Sequence, residues 1–280
     1  MVAQTKSADE YFKLGNDYFN AGLLEKAIEA YEQSVAQKKD FKEAWYNLGI
    51  AYSKKKDYAK EAQAYQKAIE LDPKYTKALY NLAIAREDNS DVAGAIDMYN
   101  KVLAFEPNAV DAQVNLAILL AKQSRFDEAI AAYEKAITID PDMADAYFNL
   151  GIAYSKKAEL AAADDEKQEL RQKEIAAYKQ AIEKKPNYHK AWYNIAIAYN
   201  KLSDIDKEVD AYKHAIGIKA DYPQALYNLA FAYEERGETE QAITHWKKYL
   251  EVAEPLPSEK SFVETAKTEL ERLIQKDNPQ

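Results

Sequence analysis

The sequence contains no cysteine, which excludes disulfides, thiolate catalysis and cysteine-ligated zinc or iron. Its 3 histidines, His189, His214 and His245, lack a partner at the i, i+4 spacing of a helical metal site, so no metal and no cofactor are expected. Glycine is scarce, at 7 in 280 residues, and the glycines stand singly, which leaves no phosphate-cradling loop. The longest clean apolar run, Leu116 to Ala121, falls far short of the ~20 residues that a membrane-crossing helix needs. A basic excess is missing too. With 47 acidic and 38 basic residues the net charge is −9, which argues against a nucleic acid partner held through its phosphates. The first residues lack the apolar stretch of a secretion signal and so point to the cytoplasm, although a mature exported form would read the same way.

What is present is apolar, ring-rich and periodic. Hydrophobic residues make up 48% and charged residues 30%, with 22 tyrosines, the composition of a mostly helical chain with much amphipathic contact surface. Prolines recur at Pro73, Pro107, Pro141 and Pro186. A few residues after the first three stand Ala78-Leu79-Tyr80-Asn81-Leu82-Ala83, Ala112-Gln113-Val114-Asn115-Leu116-Ala117 and Ala146-Tyr147-Phe148-Asn149-Leu150-Gly151. The same pattern begins earlier at Ala44-Trp45-Tyr46-Asn47-Leu48-Gly49 and continues at Ala191-Trp192-Tyr193-Asn194-Ile195-Ala196 and Ala225-Leu226-Tyr227-Asn228-Leu229-Ala230. Self-similarity at this period marks an array of supersecondary units, each burying its apolar face against the next. Every unit reads as two amphipathic helices, with the proline closing the second.

These residues resemble the tetratricopeptide repeat family: a large ring or leucine at place 4 of the repeat, Leu at 7, Gly or Ala at 8, Tyr at 11, Ala at 20, Tyr at 24, Ala at 27 and Pro at 32. Seven units are counted, at 8–41, 42–75, 76–109, 110–143, 144–188, 189–222 and 223–256, after a leader at 1–7 and before a terminal segment at 257–280. The resemblance implies an all-α, right-handed superhelical solenoid of helix-turn-helix repeats. Departures from the pattern are Glu61, Glu174 and Glu208 at place 20, Arg86 at place 11, and Ala220 and Glu254 for the proline. The fifth unit carries about eleven extra residues within 158–173, free of Gly and Pro, which are expected to lengthen both its helices. After Pro257, Ser258 is expected to cap a last helix to about Lys276, with Phe262, Ala266, Leu270, Leu273 and Ile274 covering the end of the array.

In such an array the first helices line a concave groove, with places 2, 5, 6, 9, 12 and 13 looking into it. Place 6 holds Asn47, Asn81, Asn115, Asn149, Asn194 and Asn228. A carboxamide matches the donor and acceptor of a peptide group, and the row resembles the asparagine ladder in the repeat domain of O-linked N-acetylglucosamine transferases, which grips extended peptides. Asparagine is also common at this place in the family at large, where it faces water. Place 5 holds Tyr46, Tyr80, Val114, Phe148, Tyr193 and Tyr227, and place 9 holds Ile50, Ile84, Ile118, Ile152, Ile197 and Phe231. The place-9 residues are read either as an exposed apolar stripe or as half covered between first helices. Lys122, Lys156 and Lys201 at place 13 give a local bias toward an acidic ligand, and a carboxylate clamp is matched in part by Asn16, Asn47 and Lys77. Carboxylate runs such as Asp164-Asp165-Glu166 read as solvated faces, since nothing desolvates a general acid or base. The chain is therefore read as a non-catalytic scaffold holding an extended or helical segment of a partner protein or peptide in its concave groove. The alternative is a self-assembling protein whose groove receives a neighbouring copy, through residues such as 1–7.

Overall fold

The structure, a computed structural model, describes residues 6–277 of the 280. Most of the leader (1–5) and the end of the tail (278–280) lie outside the described residues. The described residues are helical throughout, with no strand. The chain divides into two compact units between Ser124 and Arg125, inside the fourth sequence repeat. The N-terminal unit holds α1 (Ala8–Asn20), α2 (Leu24–Gln37), α3 (Lys42–Lys55), α4 (Tyr58–Leu71), α5 (Thr76–Asp88), α6 (Val92–Phe105) and α7 (Val110–Lys122). The C-terminal unit holds α8 (Phe126–Ile139), α9 (Ala144–Leu160), α10 (Asp164–Lys184), α11 (His189–Lys201), α12 (Ile205–Ile218), α13 (Pro223–Glu235) and α14 (Thr239–Ala253). A 3-10 turn (Pro257–Glu259) and α15 (Lys260–Asp277) complete it. Within each unit every helix packs on the one before it, so each is a solenoid of helix-turn-helix repeats.

Local chemistry sets the corners. Each first helix outside the fifth repeat ends at a residue with positive φ, namely Gly22, Lys56, Ser90, Ser124, Ser203 and Gly237, which turns the chain into its second helix. Asp57, Asp91 and Asp204 then cap the new helix by accepting the backbone N–H three residues on. The two helices of a repeat come close because place 8 is small. A Cβ added at Gly49 would lie 2.5 Å from the ring of buried Tyr65.

Four of the departures from the repeat pattern are compensated. Glu61, Glu174 and Glu208 are buried, and each faces a polar residue eight places earlier in its repeat on the first helix: Ser53, Ser155 or Asn200. Asn200 donates to both oxygens of Glu208, at 3.1 and 3.2 Å. Arg86 runs beside Gly94, where an added Cβ would lie 2.5 Å from its guanidinium, and it meets Asp91 at 3.8 Å. The fifth repeat's extra residues do lengthen both helices, to 17 residues in α9 and 21 in α10, against 13 to 15 in the other repeat helices. They are packed residues and not a bare extension. Ala158 and Leu170 are buried, and Arg171 bonds Glu174 at 2.7 Å and Ser155 at 2.9 Å.

Burial, together with the negative charge of Glu235 across the joint, pushes the Glu208 carboxyl up to about 7, against the opposing pull of Asn200. A folded-state value raised above the unfolded one near 4.5 means that this group favours folding below about pH 4.5 and loses that contribution as pH rises through 7. Each tenfold gain in proton affinity on folding corresponds to about 1.4 kcal/mol, so Glu208→Gln is expected to remove about 3 kcal/mol of the stability difference between pH 4.5 and 8. Urea unfolding at those two pH values checks this. An unchanged pH dependence in the variant would show that Glu208 is solvated.

The last helix covers the array with a face rotated from the expected one. The 3-10 turn, and not a Ser258 cap, opens it; Val263, Ala266 and Leu273 are buried, while Phe262 and Ile274 are exposed. Buried Glu259 locks the turn down, accepting from Gln224 at 3.1 Å and from the Tyr249 hydroxyl at 3.1 Å. Arg272 bonds Glu234, which also accepts from Trp246 at 2.7 Å.

Candidate functional site

The first-helix face is built from rings before it is built from polar groups. Four place-5 rings lean on a buried ring of their own second helix at 5.5 to 5.9 Å between centroids: Tyr46 on Tyr65, Tyr80 on Tyr99, Phe148 on Tyr178 and Tyr193 on Tyr212. At four joints a second ring closes on the place-5 ring from the residue that precedes the next first helix. These pairs are Phe12 with Phe41, Tyr46 with Tyr75, Phe148 with Tyr188 and Tyr193 with Tyr222, at 4.8 to 5.1 Å. The place-5 side chains are therefore half-buried walls of the face and not free anchors.

The asparagines are held by these rings. Asn81 donates to the hydroxyls of Tyr46 (3.3 Å) and Tyr65 (3.4 Å), Asn115 to Tyr80 (3.1 Å) and Tyr99 (3.2 Å), and Asn228 to Tyr193 (3.3 Å) and Tyr212 (3.2 Å). Asn194 donates only to Tyr178, at 3.3 Å, because place 5 before it is Phe148 and has no hydroxyl. Among the described residues of its own unit, Asn149 makes no side-chain hydrogen bond. In the clipped residues the amide hydrogens are spent inside the protein, while Oδ1 keeps its capacity to accept. The clip also accounts for otherwise costly buried phenols. Desolvation raises the Tyr65, Tyr99 and Tyr212 hydroxyls far above their ordinary range, and the asparagine donor opposes that shift.

At place 9 the reading as half-covered residues holds for Ile50, Ile118, Ile152 and Ile197, whereas Ile84 and Phe231 are exposed, at 36% and 38%. The lysines of place 13 are less available than their sequence implies. Lys122 pairs with Glu87 at 2.9 Å and Lys156 with Glu159 at 2.8 Å, and Lys201 alone of the three has no ion pair among the described residues. The partial carboxylate clamp is also engaged internally, since Asn16 accepts from Asn47 at 2.8 Å and from Tyr31 at 2.7 Å.

Repeat-family models match along the chain: "tetratricopeptide repeat" at residues 12–76, 64–97, 177–210 and 224–252, and "TPR repeat" at 119–157. Together they cover more than half of it. The chain belongs to the tetratricopeptide repeat family. Solved structures agree on the fold of these tetratricopeptide repeats. MamA is 29% identical over 62% of this chain and 95% of its own, with a TM-score of 0.56. YrrB, described as a TPR protein with an unusual peptide-binding site, is 20% identical over 72% of this chain and 98% of its own, at 0.61. The C-terminal part of a TPR repeat-containing protein from Cytophaga hutchinsonii is 16% identical over 90% of this chain and 99% of its own, at 0.74. A comparison with curated proteins returned no match. No described helix is long and apolar enough to cross a membrane.

Two residues of the tetratricopeptide face escape a reading by motif. Phe262, 50% exposed, sets its ring 5.4 Å from Tyr227 and follows it by 35 residues, the interval that separates Asn81 from Tyr46 and Asn115 from Tyr80. It stands where an asparagine would clip, so this end of the face is aromatic. Ala109 stands where Phe41, Tyr75, Tyr188 and Tyr222 place their rings. Aligning the residue before each first helix in register is the signal that finds this exception.

Proposed function

We propose that this tetratricopeptide repeat protein is a non-catalytic interaction scaffold whose first-helix face holds an extended segment of a partner protein. The observation that carries the reading is the tyrosine-clipped asparagine, which fixes an unspent carbonyl acceptor at successive joints. First helices of neighbouring repeats pack about 10 Å apart and an extended chain rises about 3.3 Å per residue, so one oxygen can meet roughly every third backbone N–H. A net hydrogen bond contributes about 0.5 to 1.5 kcal/mol, so the row supports modest affinity that does not depend on sequence. The half-covered isoleucines and the exposed Ile84 and Phe231 add apolar contact. YrrB, a protein of the same fold described as having a peptide-binding site, supports peptide binding as the activity to test first.

The test is a peptide selected from a random library on the full chain, titrated into a variant whose three changes lie in one unit, Asn149→Ala/Asn194→Ala/Asn228→Ala. Affinity is expected to fall by about 2 kcal/mol or more, from three lost acceptors. Loss of the clips at Asn194 and Asn228 also costs about 1 kcal/mol or more of stability at each, since a buried phenol loses its partner. Asn149→Ala alone, which breaks no clip within its unit, should weaken binding at undiminished melting temperature. Unchanged affinity in both variants would reduce the asparagines to structural clips.

A further inference from the structure

The row of rings is interrupted once in the N-terminal unit. Against Tyr46 the chain lays its own Tyr75, with ring centroids 5.1 Å apart, and in the other unit Tyr188 stacks on Phe148 at 4.8 Å. Against Tyr80 the corresponding residue is Ala109, and a surface cleft of about 610 Å³ lies there. Tyr80, Val102, Ala109 and Val110 form its apolar lining, with Lys77 and Asp111 beside them.

The backbone is already set for a ring. Ala109 has φ −72° and ψ 88°, close to the −74° and 80° of Tyr75 and the −84° and 73° of Tyr188. Only the side chain differs, so the cleft has the shape that the chain's own aromatic residues fill elsewhere. Glu106 lines the cleft too, so Lys77 stands against two carboxylates, Glu106 and Asp111, and the net negative charge disfavours an acidic group there. A ring tilted against Tyr80 would recover the aromatic contact that the other joints make internally, and a tyrosine or phenylalanine loses little freedom on binding.

We infer that this cleft is a subsite for an aromatic side chain, tyrosine or phenylalanine, of the extended partner segment. The inference rests on the first-helix face being the binding face, and it names one chemical requirement of the partner. The ring enters beside Tyr80, and the flanking backbone passes the oxygens of Asn81 and Asn115.

The probe is the blocked pentapeptide Ser-Gly-Tyr-Gly-Ser, with alanine or leucine in place of its tyrosine as controls. It is titrated into the full chain and followed by amide chemical shifts. The tyrosine peptide is expected to bind at least ten times more tightly than the alanine peptide and to move the signals of Tyr80, Ala109 and Val110. Ala109→Tyr supplies the ring from within. It should abolish this binding and raise the melting temperature by a few degrees, which shows that the variant is folded. Equal binding of the tyrosine and alanine peptides, tighter binding of the leucine peptide, no binding at all, or unchanged binding to Ala109→Tyr would each overturn the subsite. The two readings separate cleanly. Loss of binding in Ala109→Tyr with none in Asn81→Ala/Asn115→Ala leaves the subsite and removes the ladder beside it, and the reverse pattern leaves the scaffold without the subsite.

Discussion

Arg171→Leu is expected to lower stability by about 3 to 5 kcal/mol at neutral pH, the cost of leaving a buried carboxylate without its counter-ion. The side chains of Arg171 and Glu174 are only 8% and 2% exposed, so water cannot replace the lost guanidinium. The Ser155 hydroxyl, which now accepts from Arg171 and also faces the Glu174 carboxylate, remains as a single weak donor. Burial already raises the Glu174 carboxyl above its ordinary value, with the arginine opposing that shift, so removing the arginine raises it further. The sign follows from linkage. A raised folded-state value makes the variant relatively more stable in acid, and its deficit should shrink as pH falls toward 5. Arg171→Leu/Glu174→Leu removes both charges and should recover most of the loss. Urea unfolding of wild type, single and double variants at two pH values decides the matter. A single-variant loss below about 1 kcal/mol would mean that the lengthened hairpin is not packed as described.

Deleting residues 258–280 is expected to have the second large effect. The deletion removes the cover over Trp246 and Tyr249, both fully buried, and takes away Val263, Ala266 and Leu273 from the core. Each large apolar side chain contributes about 1.5 to 3 kcal/mol on burial, and the exposed aromatic end of the last repeat becomes a surface for association. Loss of Glu259 also leaves the Tyr249 hydroxyl and Gln224 without their shared acceptor. The truncated chain should aggregate on purification or run as higher oligomers in light scattering. A monomer with an undiminished melting temperature would show that α15 is not part of the cover.

How much of this is legible without coordinates depends on whether a feature repeats. The helix pairs, the small residue at place 8 and the asparagine row are visible because each recurs in register, and the lengthening of α9 and α10 follows from an insert with neither Gly nor Pro. The clips are concealed by the distance between their members. Tyr46 and Tyr65 precede Asn81 by 35 and 16 residues, and only the packing of three helices brings them together. The pairing of Glu61, Glu174 and Glu208 with Ser53, Ser155 and Asn200 is a covariation inside one chain, invisible when place 20 is read alone. Ion pairs such as Lys122 with Glu87 depend on side-chain choice at a surface, which spacing does not determine. In the last helix Phe262 follows Tyr227 by 35 residues, the interval of the clipped asparagines, so it falls on the first-helix face and not among the buried residues of the cover.

The central claim is that the clipped asparagines accept backbone N–H groups from an extended partner. A thermodynamic cycle tests it most directly, combining N-methylation of successive peptide bonds in the selected peptide with asparagine-to-alanine changes at Asn194 and Asn228, two clipped residues of one unit. Recognition of the backbone predicts that methylation costs about 1 kcal/mol or more at positions recurring roughly every third residue, and that this cost disappears on the variant lacking the matching asparagine. Costs that are the same on wild type and variant, or that follow the peptide's side chains and not its N–H groups, would contradict it.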